Sequence, residues 1–427
     1  MALTNEKRTA YANILKEELI PAMGCTEPIA IAYAASIISH ALGAYPNEIK
    51  IGLSGNIIKN VKSVIVPKTG GMHGINSAIC AGIISASPQK KLEVLSVIMS
   101  EDVSKIRDFQ NTASIEIYEI DDSQPFEIYI EGFLGSSSAS AHLCKRHTNL
   151  VSAYLNGQDI TLKYQSPEDI VEKKSTDRSS LNVEDILEFA ETTELDELTP
   201  ILEKQLEYNM AIAKEGILRD FGASIGRTLY LNANGDTRIL ARAYAAAGSD
   251  ARMNGCELPV CIISGSGNQG ITASVPLYIY AEKLGSSHEE LLRALIVSDL
   301  ITIHQKTGIG CLSAYCGAIS AGVGAGCGIC YLHGGRYYEI AHTLVNSVAI
   351  LSGTICDGAK SSCAAKISMA IEAGIMGYEM AKSGHQFYSG EGIVTKGVEK
   401  TIKNVGRLAS VGMSSTDKEI IKIMLGK

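Results

Sequence analysis

Cysteine is the residue type whose number and spacing in this chain most suggest chemistry. Eleven are present, and Cys311, Cys316, Cys327, Cys330, Cys356 and Cys363 fall within 53 residues of one another. The odd total argues against a disulfide framework, and the N-terminus MALTNEKRTAYANILKEELIPAMG carries scattered charges instead of an apolar secretion signal. A reducing, cytoplasmic setting follows, in which thiols stay free or bind metal. Cys25 stands apart from the cluster, in Pro21-Ala22-Met23-Gly24-Cys25-Thr26-Glu27-Pro28, where a long apolar helix must begin. Thr26 suits a cap, Glu27 the first turn, and Pro28 is tolerated there. Helix N-termini stabilise a thiolate, so the expectation is a depressed thiol pKa and a role as base or nucleophile. The bland alternative is a small buried residue at a helix start.

A second candidate is Gly265-Ser266-Gly267-Asn268-Gln269-Gly270, a G-x-G-x-x-G between the strand-like LPVCIIS and a helical ITASVPLYIYAEKLG. A dinucleotide fold needs a second strand next, and the chain continues instead with another helical pattern. What survives is local: glycines at a helix start expose N–H groups to an anion, with Asn268 and Gln269 as polar contacts. A pyridoxal-phosphate cradle is an alternative reading, but no neighbouring lysine motif supports it. Cys327-Gly328-Ile329-Cys330 is a CxxC set in an Ala/Gly helix, better read as two core thiols than as a redox pair or half a zinc site. The Gly70-Gly71 loop beside His73 is a further anion candidate, whereas His147-Thr148-Asn149 and Ser249-Asp250-Ala251-Arg252-Met253 read as turns or caps.

The elements that must position these residues fall into an α+β pattern: a mainly helical Ala/Gly-rich catalytic domain plus a smaller strand-bearing α/β domain. Residues 49–53, 114–120 and 126–131 have strand character. The boundaries expected are 1–45, N-terminal helices packing on the C-terminal domain; 46–162, the α/β domain; 163–182, a charged, Ser-rich linker; and 183–427, the helical domain. Between Lys306 and Arg336 lie 29 uncharged residues, but nine of them are glycine, which favours buried helices over a membrane span. The tripeptide Ser54-Gly55-Asn56 recurs at 266–268. A net charge of −8 leaves no basic surface for nucleic acid. No nucleic acid and no membrane are expected as partners; a homo-oligomer is left open.

Three segments together, PAMGCTEP, SDARMNGCELPVCIISGSGNQG and GTICDGAKSSCAAKI, resemble the L-cysteine desulfidase family, within the iron–sulfur L-serine dehydratase alpha-chain superfamily. The resemblance runs along essentially the whole chain, and over residues 185–427 for the wider superfamily. It implies a [4Fe–4S] cluster on three cysteines, with Cys25 as proton acceptor. Carried over, the ligands are Cys356, Cys363 and an upstream cysteine, Cys316, whose 40-residue offset from Cys356 fits the family, with Cys311 as fallback. Three ligands leave one iron open as a Lewis acid. The implied reaction is β-elimination of L-cysteine to pyruvate, ammonia and sulfide. The alternatives are L-serine dehydration, a pyridoxal-phosphate lyase and a non-catalytic metal-binding protein. Loop composition adds Asn268, Gln269, Asn56 and His73 as contacts for the small amino-acid substrate.

Overall fold

The computed structural model describes residues 3–121, 123–165, 175–310 and 312–426. Thr4 accepts the Lys7 N–H at 3.3 Å and so caps α1 (Asn5–Glu18), which buries Tyr11, Ile14 and Leu15. A short strand β1 (Ile20–Met23) leads into α2 (Thr26–Leu42). Next come β2 (Glu48–Leu53), α3 (Gly55–Val61), α4 (Gly74–Ser85), α5 (Asp102–Thr112) and β3 (Ser114–Glu119). A meander of β4 (Glu127–Leu134), β5 (Ser137–Cys144), β6 (Leu150–Leu155) and β7 (Gln158–Asp159) completes a six-stranded sheet of order β3-β2-β4-β5-β6-β7. The pair β2–β3 is parallel and the other pairs are antiparallel.

Alternation explains which face of the sheet is covered: Ile128 and Ile130 of β4, and Ala139, Ala141 and Leu143 of β5, point inward. Against them lies α2, apolar on every side, with Ile29, Ile31, Ile37 and Ile38 all buried. Each such isoleucine contributes about 1.5–3 kcal/mol of transfer free energy. The far flank of α2 is covered by α4, drawn in until a Cβ on Gly82 would stand 2.2 Å from the Ala32 carbonyl oxygen. This differs from the expectation that residues 1–45 pack together on the helical domain. Only α1 does so, because a helix with no polar face needs partners all round, and the sheet with α4 provides them.

The helical part comprises α6 (Val183–Thr192), α7 (Thr199–Leu218), α8 (Ile225–Leu231) and α9 (Thr237–Met253). After β8 (Pro259–Ile262) follow α10 (Gly267–Leu284), α11 (His288–Ile309), α12 (Gly317–Leu332), α13 (Tyr337–Leu351), α14 (Cys363–Lys382), α15 (Val398–Arg407) and α16 (Ser414–Leu425). Its centre is α12, rich in glycine and so a poor helix former alone; it stands because α10, α11, α13 and α14 enclose it. Cβ atoms on Gly322 and Gly326 would meet the α14 backbone at 2.4 and 2.5 Å. Cys327 and Cys330 are fully buried here. No helix among the described residues is long and apolar enough to cross a membrane. The architecture is α+β, mainly helical with a small mixed sheet. Of the expected linker, residues 166–174 lie outside the described residues.

Candidate active site between the sheet and the helical part

The strand β1 pairs antiparallel with β8, register Met23 to Pro259 and Ile20 to Ile262, which sets the Cys25 segment beside the glycine loop. Gly24, at φ +63°, turns the chain out of β1, and Pro67 packs where its Cβ would be. Cys25 then takes the N-cap position of α2, with Thr26 inside the helix. The Thr26 hydroxyl donates to the Gly265 carbonyl at 2.9 Å and ties the two segments together. Ser266 is the N-cap of α10 and Ser54 that of α3, so the repeated Ser-Gly-Asn is the same local device used twice. Because β8 pairs with β1 in a two-stranded sheet and not with a parallel neighbour, the G-x-G-x-x-G does not open a dinucleotide fold.

The later cysteines arrive by a different route. An antiparallel bridge between Tyr315 and Ile355 places Cys316 beside Cys356: Cys316 N donates to the Thr354 carbonyl at 3.1 Å, and Cys356 N to the Ala314 carbonyl at 2.6 Å. Cys316 is the N-cap of α12 and Cys363 the first residue of α14. The chain turns at Asp357-Gly358, Gly358 at φ +96°, seated where a Cβ would stand 2.4 Å from the Lys59 carbonyl oxygen. Cys25 packs with Val64 and Met253, and Cys363 lies against that same cluster. The outcome is one cavity of about 110 Å³ lined by Cys25, Cys316, Cys356, Cys363, Asn268 and Gln269. Residues at the N-termini of α2, α10, α12 and α14 all line it, which brings the positive ends of four helix dipoles to one space.

Not every expected contact is there. Asn56 lies four residues before Asn60 on α3, about 6 Å back along the helix, and borders a separate depression with Gln124 and Asp417; Asn60 faces the cavity instead. His73 is exposed at the N-cap of α4, its backbone bridged to Ile65, because residues 64–74 double back on themselves and turn Val64 and Pro67, not His73, towards Gly24 and Cys25. Cys311 lies outside the described residues.

Several residues at the site are not singled out from the sequence as functional: Glu27 reads there as a first-turn residue and Arg252 as part of a turn or cap at 249–253, a segment the structure places inside α9. Glu27, buried, accepts the Cys25 thiol hydrogen at 3.3 Å on Oε2 and the Asn60 amide at 3.1 Å on Oε1. Arg252 of α9 is 3% exposed; its Nη1 donates to Asn268 Oδ1 at 3.2 Å, while its Nε finds no hydrogen-bond partner among the described residues. Gly267 makes room for it: a Cβ there would stand 2.4 Å from that Nε. The buried Gln269 Oε1 is likewise without a partner. Lys59 reaches the Cys356 carbonyl at 3.3 Å and pairs with Asp417; Lys366 reaches the Ile355 carbonyl at 2.9 Å and pairs with Asp357. Lys306 also lines the cavity. The signal available was one of type: an arginine and a glutamate inside otherwise apolar helix starts and ends, spaced far apart.

Electrostatics correct one expectation. Burial, then the Glu27 carboxylate, push the Cys25 thiol well above its ordinary range; the nearby Arg252 pulls the other way without prevailing. Desolvation outweighs the helix dipole in this protonated state. Burial and the adjacent Cys356 and Cys363 push Cys316 up to about 12, and burial raises Cys363. Three thiols lining one cavity offer the donor type that iron–sulfur clusters take. Among the described residues the only trio whose ligand atoms all lie within 4.8 Å is elsewhere, so these sulfurs stand further apart than the donors of a single ion. Lys59, Arg252, Lys306 and Lys366 oppose the negative charge such a group and its thiolates bring. The three thiols and their setting therefore fit a cluster. A second cavity of about 450 Å³ adjoins the first through Glu27, Ser266, Lys306 and Leu312 and carries His147, whose buried Nε2 has no partner among the described residues.

The family model of the serine dehydratase alpha chain matches residues 89–422, reaching further back than residue 185. The chain is 52% identical over 417 residues to a UPF0597 protein of Desulfitobacterium hafniense (strain Y51), covering 98% of this chain and 96% of that one. It is 44% identical over 430 residues to one of Treponema denticola, covering 100% of both. With one of Lachnoclostridium phytofermentans it shares 45% over 413 residues, 97% of this chain and 98% of the relative. By sequence along its whole length and by the model that spans most of it, the chain belongs to the serine dehydratase alpha chain family, among the UPF0597 proteins.

Proposed function

We propose that this protein is a β-eliminating lyase that converts L-cysteine to pyruvate, ammonia and sulfide in a reducing cytoplasm. The carrying observation is that Cys25, Cys316, Cys356 and Cys363, far apart in sequence, share one small cavity with a buried, partly unpartnered guanidinium. All ten described cysteines are free thiols, which suits that compartment. Cys316, Cys356 and Cys363 would hold a [4Fe–4S] cluster. When bound there by three thiolates, the cluster supplies an open Lewis-acid position for an amino acid and its leaving group.

The chain's own groups account for the rest. Arg252 takes the substrate carboxylate, the anion called for by a buried guanidinium whose Nε has no hydrogen-bond partner among the described residues. Gln269 Oε1, an acceptor without a donor, takes the ammonium, and Asn268 is already turned by Arg252. Cys25 passes its proton to Glu27 along the existing 3.3 Å contact, and the thiolate then removes the Cα proton. The Cα–H electrons become the Cα–Cβ double bond as the Cβ–S bond breaks and its pair leaves with sulfur. Hydrolysis of the resulting enamine's imine form gives pyruvate and ammonia. The PAMGCTEP resemblance favours L-cysteine. L-serine is the second reading, favoured by the family model, since a hydroxyl leaves from the same geometry.

The test is anaerobic reconstitution with iron and sulfide, followed by parallel sulfide and pyruvate assays on L-cysteine and L-serine. A brown protein releasing both products from L-cysteine is expected. A protein that binds no iron, or a loaded one inactive on both substrates, would refute the reading.

A further inference from the structure

A second group of donors stands on the face of the sheet opposite α2. The antiparallel register sets Glu127 of β4 against Cys144 of β5, and Tyr129 against His142. Strand alternation turns Glu127, His142 and Cys144 to the same side. Their ligand atoms all lie within 4.8 Å of one another.

The trio is held in place before any ion arrives. His142 Nε2 and Glu127 Oε1 are 3.0 Å apart, and Glu127 Oε2 accepts the Gln124 N–H at 2.9 Å. The Tyr129 ring meets the His142 ring edge-on, centroids 6.0 Å apart. Cys144 is buried, and the other two are half-covered, with side chains 18% and 25% exposed for Glu127 and His142. A carboxylate and an imidazole fixed by neighbours are what a metal's supporting contacts normally achieve.

We infer that Glu127, His142 and Cys144 form a site for one divalent ion of the zinc class. Imidazole nitrogen, thiolate sulfur and carboxylate oxygen together suit Zn²⁺ better than the hard oxygen-seeking cations. Donors at roughly 2.0–2.3 Å from a tetrahedral zinc stand about 3.3–3.7 Å apart, so shifts of about 1 Å convert the present arrangement into a coordination sphere with water as fourth ligand. On binding, the Cys144 thiol gives up its proton, and any proton on His142 Nε2 is displaced, both to solvent. Two negative ligands then balance the ion's charge. The ion would clamp β4 to β5 at the foot of the turn 145–149, whose His147 borders the larger cavity. Nothing in this depends on the lyase reading.

The test is calorimetric titration of Zn²⁺ into the anaerobically reconstituted protein, with Co²⁺ as a spectroscopic probe. The native protein is expected to take one equivalent, with a thiolate-to-cobalt charge-transfer band. Cys144→Ser and His142→Ala should each lose that equivalent and that band, and Glu127→Gln should weaken binding at least about tenfold. Cys316→Ser should keep both, which separates this site from the cluster thiols. No binding by the native protein, or the same stoichiometry and band in Cys144→Ser and His142→Ala, would overturn the assignment.

Discussion

The Cys25 thiol donates to Glu27 Oε2 across 3.3 Å, two residues further along the chain and inside the first turn of the same helix. A thiol at a helix start is ordinarily read as a thiolate waiting to react; here burial first, and then the Glu27 carboxylate, hold the proton on sulfur. Arg252, from the other side of the cavity, favours the opposite state. The pair is thus set to exchange one proton when the charges around it change.

Cys25→Ala is expected to lower the rate of sulfide and pyruvate release by at least about 100-fold while leaving iron content and colour unchanged. Glu27→Gln should also lower kcat, by about 10- to 100-fold, because an amide cannot take the proton. Steady-state assays with iron determination check both; full activity in Cys25→Ala would remove it from the reaction.

Arg252→Met should lower kcat/KM by about 10- to 150-fold, the worth of a charge-assisted hydrogen bond to a carboxylate. Its thermal midpoint should not fall, because a buried cation whose Nε has no partner among the described residues costs stability that an apolar side chain of similar size recovers. A large loss of stability with normal kinetics would mark Arg252 as structural.

Cysteine-to-serine exchanges sort the thiols. Cys316→Ser, Cys356→Ser and Cys363→Ser are each expected to lose the iron-dependent colour and the activity together. Cys327→Ala and Cys330→Ala, in the core of α12, should keep both and lose only about 1–2 kcal/mol of stability. Absorbance after reconstitution and denaturant unfolding separate the two classes.

Asp299, fully buried on α11 with Gln205 donating at 3.0 Å to one oxygen, has its carboxyl pushed up to about 7 by desolvation. The folded state therefore holds a proton that the unfolded chain releases near 3.8. This contribution is fully present below that value and is lost as pH rises towards 7, at up to about 1.4 kcal/mol per pH unit. Asp299→Asn should flatten the fall in unfolding free energy between pH 4.5 and 7, as measured by denaturant titration.

Much of the site was legible in residue type. The residues alone gave the late crowding of cysteines and Cys25 at a helix start; Cys316, Cys356 and Cys363 were named only through the family resemblance, and the helix after Cys25 from its uncharged run. Asn268 and Gln269 were legible because a glycine loop entering a helix is a local device. Glu27, Arg252, Lys59 and Lys366 were not, because each looks like an ordinary helix residue until a distant segment meets it. Asn56 and His73 show the converse: their loops have suitable composition, and the fold turns them elsewhere.

Local sequence by itself determined the helix starts, the turns at Gly24 and Gly358, the alternation of β4 and β5, and the crowding of cysteines late in the chain, since these depend on backbone sterics, hydrogen bonding and side chains within a few residues. Only the tertiary structure decided that α2 would be buried in the sheet unit while its first residue faces the helical part, and that four helix N-termini would share one space. It also decided the protonation of Cys25, because desolvation and the charges of Glu27 and Arg252 exist only once those groups are packed together.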